Sequence, residues 1–177
     1  MTTQELQDKF QTVVDQHKKI LYKVCNSYCR NRDDRDDLAQ EIIIQLWRSF
    51  GTFDQRYRFS TWMYRIAMNV AISTYRSERR RIHDPVPIDE LGLDLAAADR
   101  AMEDASDDIR LLHQLIQRLD EMSRALIVLF LDGYDHEEIA EIVAISTSNA
   151  ATRLHRIKQK LQRDADVLQP EPARRFS

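Results

Sequence analysis

The chain has 177 residues, of which 43% are hydrophobic and 31% charged, with a formal net charge of -3. This is enough apolar material for a core, and the near balance of charge excludes a protein that attracts phosphate over its whole surface, so any such attraction must be local. Only three glycines and four prolines occur, which predicts an all-α protein. No apolar run reaches the ~18 residues of a membrane span, and "MTTQELQDKF" lacks the basic-then-apolar layout of a signal peptide, so the expected location is cytoplasmic.

Leu6, Phe10, Val13, Val14, His17, Leu21, Val24, Cys25 and Tyr28 recur at helical spacing and predict a first helix over 3–30. Cys25 and Cys29 fall on or beside that stripe and read as buried thiols. In "NRDDRDD" the aspartates can cap the next helix and oppose its dipole. That helix, over 36–50, turns Ala39, Ile42, Ile43, Leu46 and Phe50 to a core. Ile44 and Trp47 are left beside Gln40 on a second face, which suits either a partner helix or burial on two sides.

"GTFDQRYRFS" reads as a loop, and a helix is expected over 60–81 with Trp62, Met63, Ile66, Val70 and Ser73 inward. Arg65, Asn69, Ile72, Arg76, Arg79 and Arg80 make its other side, interleaved with Tyr57, Phe59, Tyr64 and Tyr75. Cations among aromatics can hold phosphates and stack unpaired bases, whereas a merely solvated face needs no rings. Phe59 also shares helical spacing with Trp62, Met63 and Ile66, so an anchor for the helix start is the competing reading.

Between residues 82 and 108, Asp84, Asp89, Glu90, Asp94, Asp99, Glu103, Asp104, Asp107 and Asp108 face the single arginine Arg100. Pro85, Pro87 and Gly92 interrupt regular structure. The division expected is a first helical domain over 1–81, an acidic linker over 82–107 with short helical pieces near 95–102, a second domain over 108–165, and a disordered tail over 166–177.

In the second domain, one helix over 108–119 rests on Ile109, Leu112, Leu115, Ile116 and Leu119. Another covers 123–131, with Gly133 as a left-handed cap. Asp135 and Glu138 have capping-box spacing for a short helix to Val143. Ser146 can cap the last helix, which packs Ala150, Leu154, Ile157 and Leu161. Ser148, Asn149, Thr152, Arg153, Arg156 and Lys160 then point away, and no acidic residue occurs between Ile142 and Arg163. Two helices joined by a tight turn, the second basic on its free face, form a helix-turn-helix suited to the major groove. "HEEIA" lacks the second histidine of a zincin motif, and no nucleophile and base pair stands out.

From its first helix through "DDLAQEIIIQLW" and "FSTWMYRIAMNVAISTYRSERRR" to "HEEIAEIVAISTSNAATRLHRIKQKL", the sequence resembles the extracytoplasmic-function sigma factors, promoter-recognition subunits of bacterial RNA polymerase. The resemblance implies that Asp37, Gln40, Glu41, Ile44 and Trp47 meet core polymerase. It implies that Arg58, Phe59, Ser60, Asn69, Tyr75, Arg76, Arg79 and Arg80 handle the downstream promoter element, and that Ser148, Asn149, Thr152, Arg153, Arg156 and Lys160 read the upstream one. Expected partners are core polymerase, promoter DNA and an anti-sigma factor, with no cofactor, metal, small-molecule substrate or enzymatic chemistry. The linker resembles the connector that enters the polymerase's RNA path, or serves as a flexible tether. Ala144 stands where the family often has glycine, "NAA" at 149–151 replaces a Thr-Val-Lys-like stretch, and the helix opening at Asp120 lacks a common proline. A stand-alone helix-turn-helix regulator and a polymerase-binding adaptor are the rival readings.

Overall fold

The computed structural model describes residues 2–76 and 96–169, and all their regular structure is helical. The chain divides into two compact units, Met1–Ala101 and Met102–Ser177. None of the described helices is long and apolar enough to cross a membrane.

In the first unit, α1 (Thr3–Tyr28), α2 (Arg32–Phe50) and α3 (Phe59–Arg76) pack each against the other two. Thr2 and Glu5 close a capping box at the start of α1. The α2 cap is Asn31 rather than one of the aspartates: its side chain accepts the Asp34 N–H at 2.8 Å. Asp33 and Asp34 lie in the first turn, where they oppose the helix dipole, so α2 begins earlier than expected. Cys25 is fully buried, and desolvation pushes its thiol far above the ordinary value.

Two helix faces differ from the sequence reading. Ile44 is only 9% exposed, and Trp47, half-buried, stands edge-on to Phe10 with ring centroids 5.2 Å apart. The second apolar side of α2 is therefore largely covered within the unit. In α3 the buried stripe is Met63, Tyr64, Ala67, Met68, Ala71 and Ile72, whereas Trp62, Ile66 and Val70 are half-buried and Ser73 is exposed. Tyr64 and Ile72 belong to the core, not to a cationic surface.

The linker expected over 82–107 lies outside the described residues up to 95; α4 (Ala96–Glu103) then supplies the short helical piece anticipated near 95–102. The second unit contains α5 (Asp107–Ile116), α6 (Glu121–Leu131), α7 (His136–Val143) and α8 (Thr147–Leu168). Ser106 caps α5. Leu115, Ile116 and Leu119 are buried as expected, but Ile109 is 54% and Leu112 36% exposed, because only the C-terminal half of α5 reaches the core. Arg124, 4% exposed, donates from Nε to the Leu119 carbonyl (3.0 Å) and from a terminal guanidinium nitrogen to that of Gln117 (2.6 Å). It thereby ties down carbonyls of the turn between α5 and α6. Gly133, at φ 89°, ends α6 in the left-handed conformation anticipated for it. The last helix continues to Leu168, past the expected start of a tail at 166.

Candidate nucleic-acid interface

Three residues, Ala144, Ile145 and Ser146, join α7 to α8. Asp135 accepts the backbone N–H groups of Glu137 and Glu138, each at 2.9 Å, and the Glu138 carboxylate accepts the Asp135 N–H at 3.0 Å. The expected capping box is formed. Ala144 takes φ 56°, ψ 49° at the C-cap, the left-handed region that disfavours a side chain. The Ile145 N–H donates to Ala140 O at 3.0 Å, and the Ser146 hydroxyl accepts the Asn149 N–H at 3.2 Å. The turn is thus closed by hydrogen bonds on both sides.

Along α8, Ala150, Leu154, Ile157 and Leu161 are buried, while Ser148, Asn149, Thr152, Arg153, Arg156 and Lys160 are all exposed. The inward stripe recurs every three to four residues, so the outward residues from Asn149 to Lys160 share the opposite side. Lys160 pairs with Asp164 at 2.7 Å. Partial burial works to raise the Asp120 carboxyl, but hydrogen bonds from the Ser123 hydroxyl and N–H, with the charge of Arg153, bring it below the ordinary value. The departure from proline at 120 therefore places a cap on α6 within electrostatic reach of Arg153 on the exposed side of α8. Lys158 lies off that face, 4.6 Å above the Phe130 ring.

The first unit offers a different surface. The Thr52 and Phe53 N–H groups donate back to Ser49 and Phe50, each at 3.1 Å, and the Phe53 ring sits 5.4 Å from Phe59 and 4.9 Å from Trp62. Phe59 is half-buried, also 5.0 Å from the His17 ring and 5.1 Å from Trp62. That geometry favours the helix-anchor reading of Phe59. Ser60 is half-buried, Arg58 and Asn69 are exposed, and Tyr57 is 59% exposed at the loop tip. Tyr75 is 53% exposed but stands edge-on to Tyr28 at 6.4 Å. Six residues beyond Asn69, it lies about 240° round the helix, so the two do not share a face. Arg76 ends α3, and Arg79 and Arg80 lie outside the described residues.

Sequence reasoning missed Asp54. Its carboxylate accepts the Arg56 backbone N–H at 3.0 Å and the guanidinium at 2.6, 2.8 and 3.1 Å. The side-chain bond, then the backbone one, hold the Asp54 carboxyl below its usual range. The available signal was an aspartate two residues before an arginine in a loop, the spacing of an Asx turn. Arg124 was also missed; a lone cation inside "SRALIVLF" was its signal.

On α2, Asp37 and Gln40 are exposed, and Glu41 is half-buried and accepts from Gln45 at 3.0 Å, beside the covered Ile44 and Trp47. The outward surface there is polar.

An all-helical chain whose second unit presents a basic helix behind a three-residue turn defines a DNA-binding protein of helix-turn-helix type. Sigma-70 region 2 matches residues 13–81, and Sigma-70, region 4 matches 109–161. The chain is 32% identical to the ECF RNA polymerase sigma factor SigW of Bacillus subtilis over 166 residues, covering 89% of each chain, and 26% identical to SigX of the same organism over 94% of this chain and 88% of the other. It belongs to the extracytoplasmic-function family of RNA polymerase sigma factors. The fold resembles that of sigma factor RpoE, solved with the anti-sigma factor NepR from Bartonella quintana, at TM-score 0.66 and 18% identity over 93% of this chain and 99% of that one. CnrH, solved with the cytosolic domain of CnrY, gives TM-score 0.59 at 23% identity, covering 91% and 90%.

Proposed function

We propose that this cytoplasmic sigma factor binds core RNA polymerase, reads a two-part promoter and starts transcription by binding and opening DNA, without bond chemistry of its own. The observation that carries the reading is the split of α8 into a buried stripe and an exposed acid-free face of Ser148, Asn149, Thr152, Arg153, Arg156 and Lys160. Arginine in such a position can pair bidentately with guanine, and asparagine with adenine, in the major groove.

The 51–58 loop and α3 would hold the separated non-template strand, through Tyr57, Arg58, Ser60 and, further along the helix, Asn69, while Phe59 supports the loop from below. Arg76, Arg79 and Arg80 continue the chain as phosphate contacts, and Tyr75 serves a neighbouring segment from its separate face. Extruding a base costs a few kcal/mol, and each base stacked on an aromatic ring returns ~1–3 kcal/mol, so one ring with a few phosphate contacts is of the right order. Asp37, Gln40 and Glu41 would carry the polymerase contact, with Ile44 and Trp47 shaping the helix beneath. An anti-sigma factor is the expected regulator, and the two domains of the reading are 1–81 and 108–165, joined by the acidic segment.

Reconstituted transcription tests this. Core polymerase plus the chain should initiate on a promoter selected from a random pool, and the chain alone should bind that DNA weakly. Tight specific binding without polymerase, with no initiation in its presence, would establish the stand-alone regulator instead.

A further inference from the structure

We propose that Asp54 is a positioning residue for strand capture, holding Arg56 so that the 54–58 turn presents Tyr57 and Arg58 in one shape before DNA arrives. This rests on the reading that the loop holds the melted strand. The geometry is specific: one carboxylate grips both the backbone N–H and the guanidinium of a residue two positions on. The Tyr57 N–H closes the same turn on the Asp54 carbonyl at 3.0 Å. Below it, Phe53 is fixed among Phe59 and Trp62, and the Trp62 N–H donates to Arg58 O at 3.2 Å. The loop is therefore tied at its base by rings and at its tip by one acid.

A carboxylate beside a surface for a polyanion should be unfavourable if its charge were all that mattered. Arg56 is already engaged by Asp54, and a phosphate could use it only by opening the turn. Electrostatics and preorganisation thus predict opposite signs for one substitution. If Asp54 only repels DNA, Asp54→Ala frees Arg56, tightens binding and steepens the salt dependence by about one phosphate contact. If it positions, the same change leaves the tip to be ordered on binding, and affinity falls.

The test uses the full chain assembled with core polymerase and a premelted bubble of the selected promoter, with 2-aminopurine placed along the non-template strand. Asp54→Ala and Arg56→Ala should each weaken bubble binding by about three- to tenfold, with reduced stacking seen as altered 2-aminopurine fluorescence and no change in melting temperature. The double variant should be no worse than either single one. Asp54→Asn, which keeps an acceptor for the Arg56 N–H, should recover part of the loss. Tighter binding by Asp54→Ala, or losses that add in the double variant, overturns the proposal. Tyr57→Ala and Arg58→Ala separate the layers: if both are impaired while Asp54→Ala is not, only the bracket fails. If all bind as wild type, the reading of the loop fails with it.

Discussion

Ala144→Gly should make the second unit more stable, a gain set by one backbone angle. At φ 56° an L-residue with a Cβ costs roughly 1–2 kcal/mol, and glycine removes that cost. Glycine also gains conformational freedom when unfolded, which returns about 0.4–1 kcal/mol to the unfolded state. The Ala144 methyl is on an exposed residue, so little packing is lost, and the expected net gain is ~0.5–1 kcal/mol. For a unit of this size that corresponds to about 2–8 °C in melting temperature. Both tryptophans, Trp47 and Trp62, lie in the first unit. Tryptophan fluorescence therefore follows that unit, while circular dichroism follows both. The substitution should shift the dichroism transition of the second unit upward and leave the fluorescence transition in place. Ala144→Val should move the dichroism transition down, since a β-branched residue fits the left-handed region worse. A lower stability for Ala144→Gly would refute the reasoning, as it would mean that the turn does not hold this angle.

Ile44→Asn should unfold the first unit or cost ~2–5 kcal/mol, whereas Asp37→Ala with Gln40→Ala should leave fluorescence-detected stability unchanged and weaken capture by core polymerase; retained capture in the exposed pair would move the contact elsewhere. Arg124→Met, which keeps the stem but removes the guanidinium's bonds to the Gln117 and Leu119 carbonyls, should lower stability of the second unit by ~2–4 kcal/mol in urea titration, and a neutral result would mean that water replaces the guanidinium. Arg153→Ala or Arg156→Ala should cost ~1–3 kcal/mol in upstream-element binding by the holoenzyme if the side chain reads a base, with relaxed specificity at one position; a uniform loss on all sequences with a shallower salt slope identifies a phosphate contact.

The second unit was the more legible because its signals are mutually redundant. Asp135 with Glu138, Ser146, and a stripe at 150, 154, 157 and 161 against an acid-free face each point to the same pair of helices. One miss there concerns α5. An apolar stripe reports that a helix is amphipathic but not how far its neighbour extends, so Ile109 and Leu112 carried the pattern of a core that ends at Leu115. In α3 the buried stripe includes Ala67 and Ala71, which allow close helix approach but weigh little against Ile66 and Val70 in any hydrophobicity pattern. With large side chains on both sides of the alanines, the sequence placed Arg65 and Asn69 outside but misjudged which apolar residues lay inside.

The aromatics of the first unit show why composition alone could not define the surface proposed to hold a strand. A ring suits a core, a scaffold and a stacked base for the same physical reason, a large apolar area with a polarisable face. The structure divides them: Tyr64 is core; Phe53, Phe59 and Trp62 support the loop; Tyr57 is exposed at its tip, and Tyr75 stands apart at the end of α3. Phe53, Phe59 and Trp62 meet one another edge-on or at tilted angles beneath the loop, which fixes them as its floor. On the proposed function they would act on DNA through that floor, which leaves the tip few shapes to choose from. A loop so supported needs only a short polar clamp to be ordered in advance, and Asp54 with Arg56 is such a clamp, located where the aromatic floor ends.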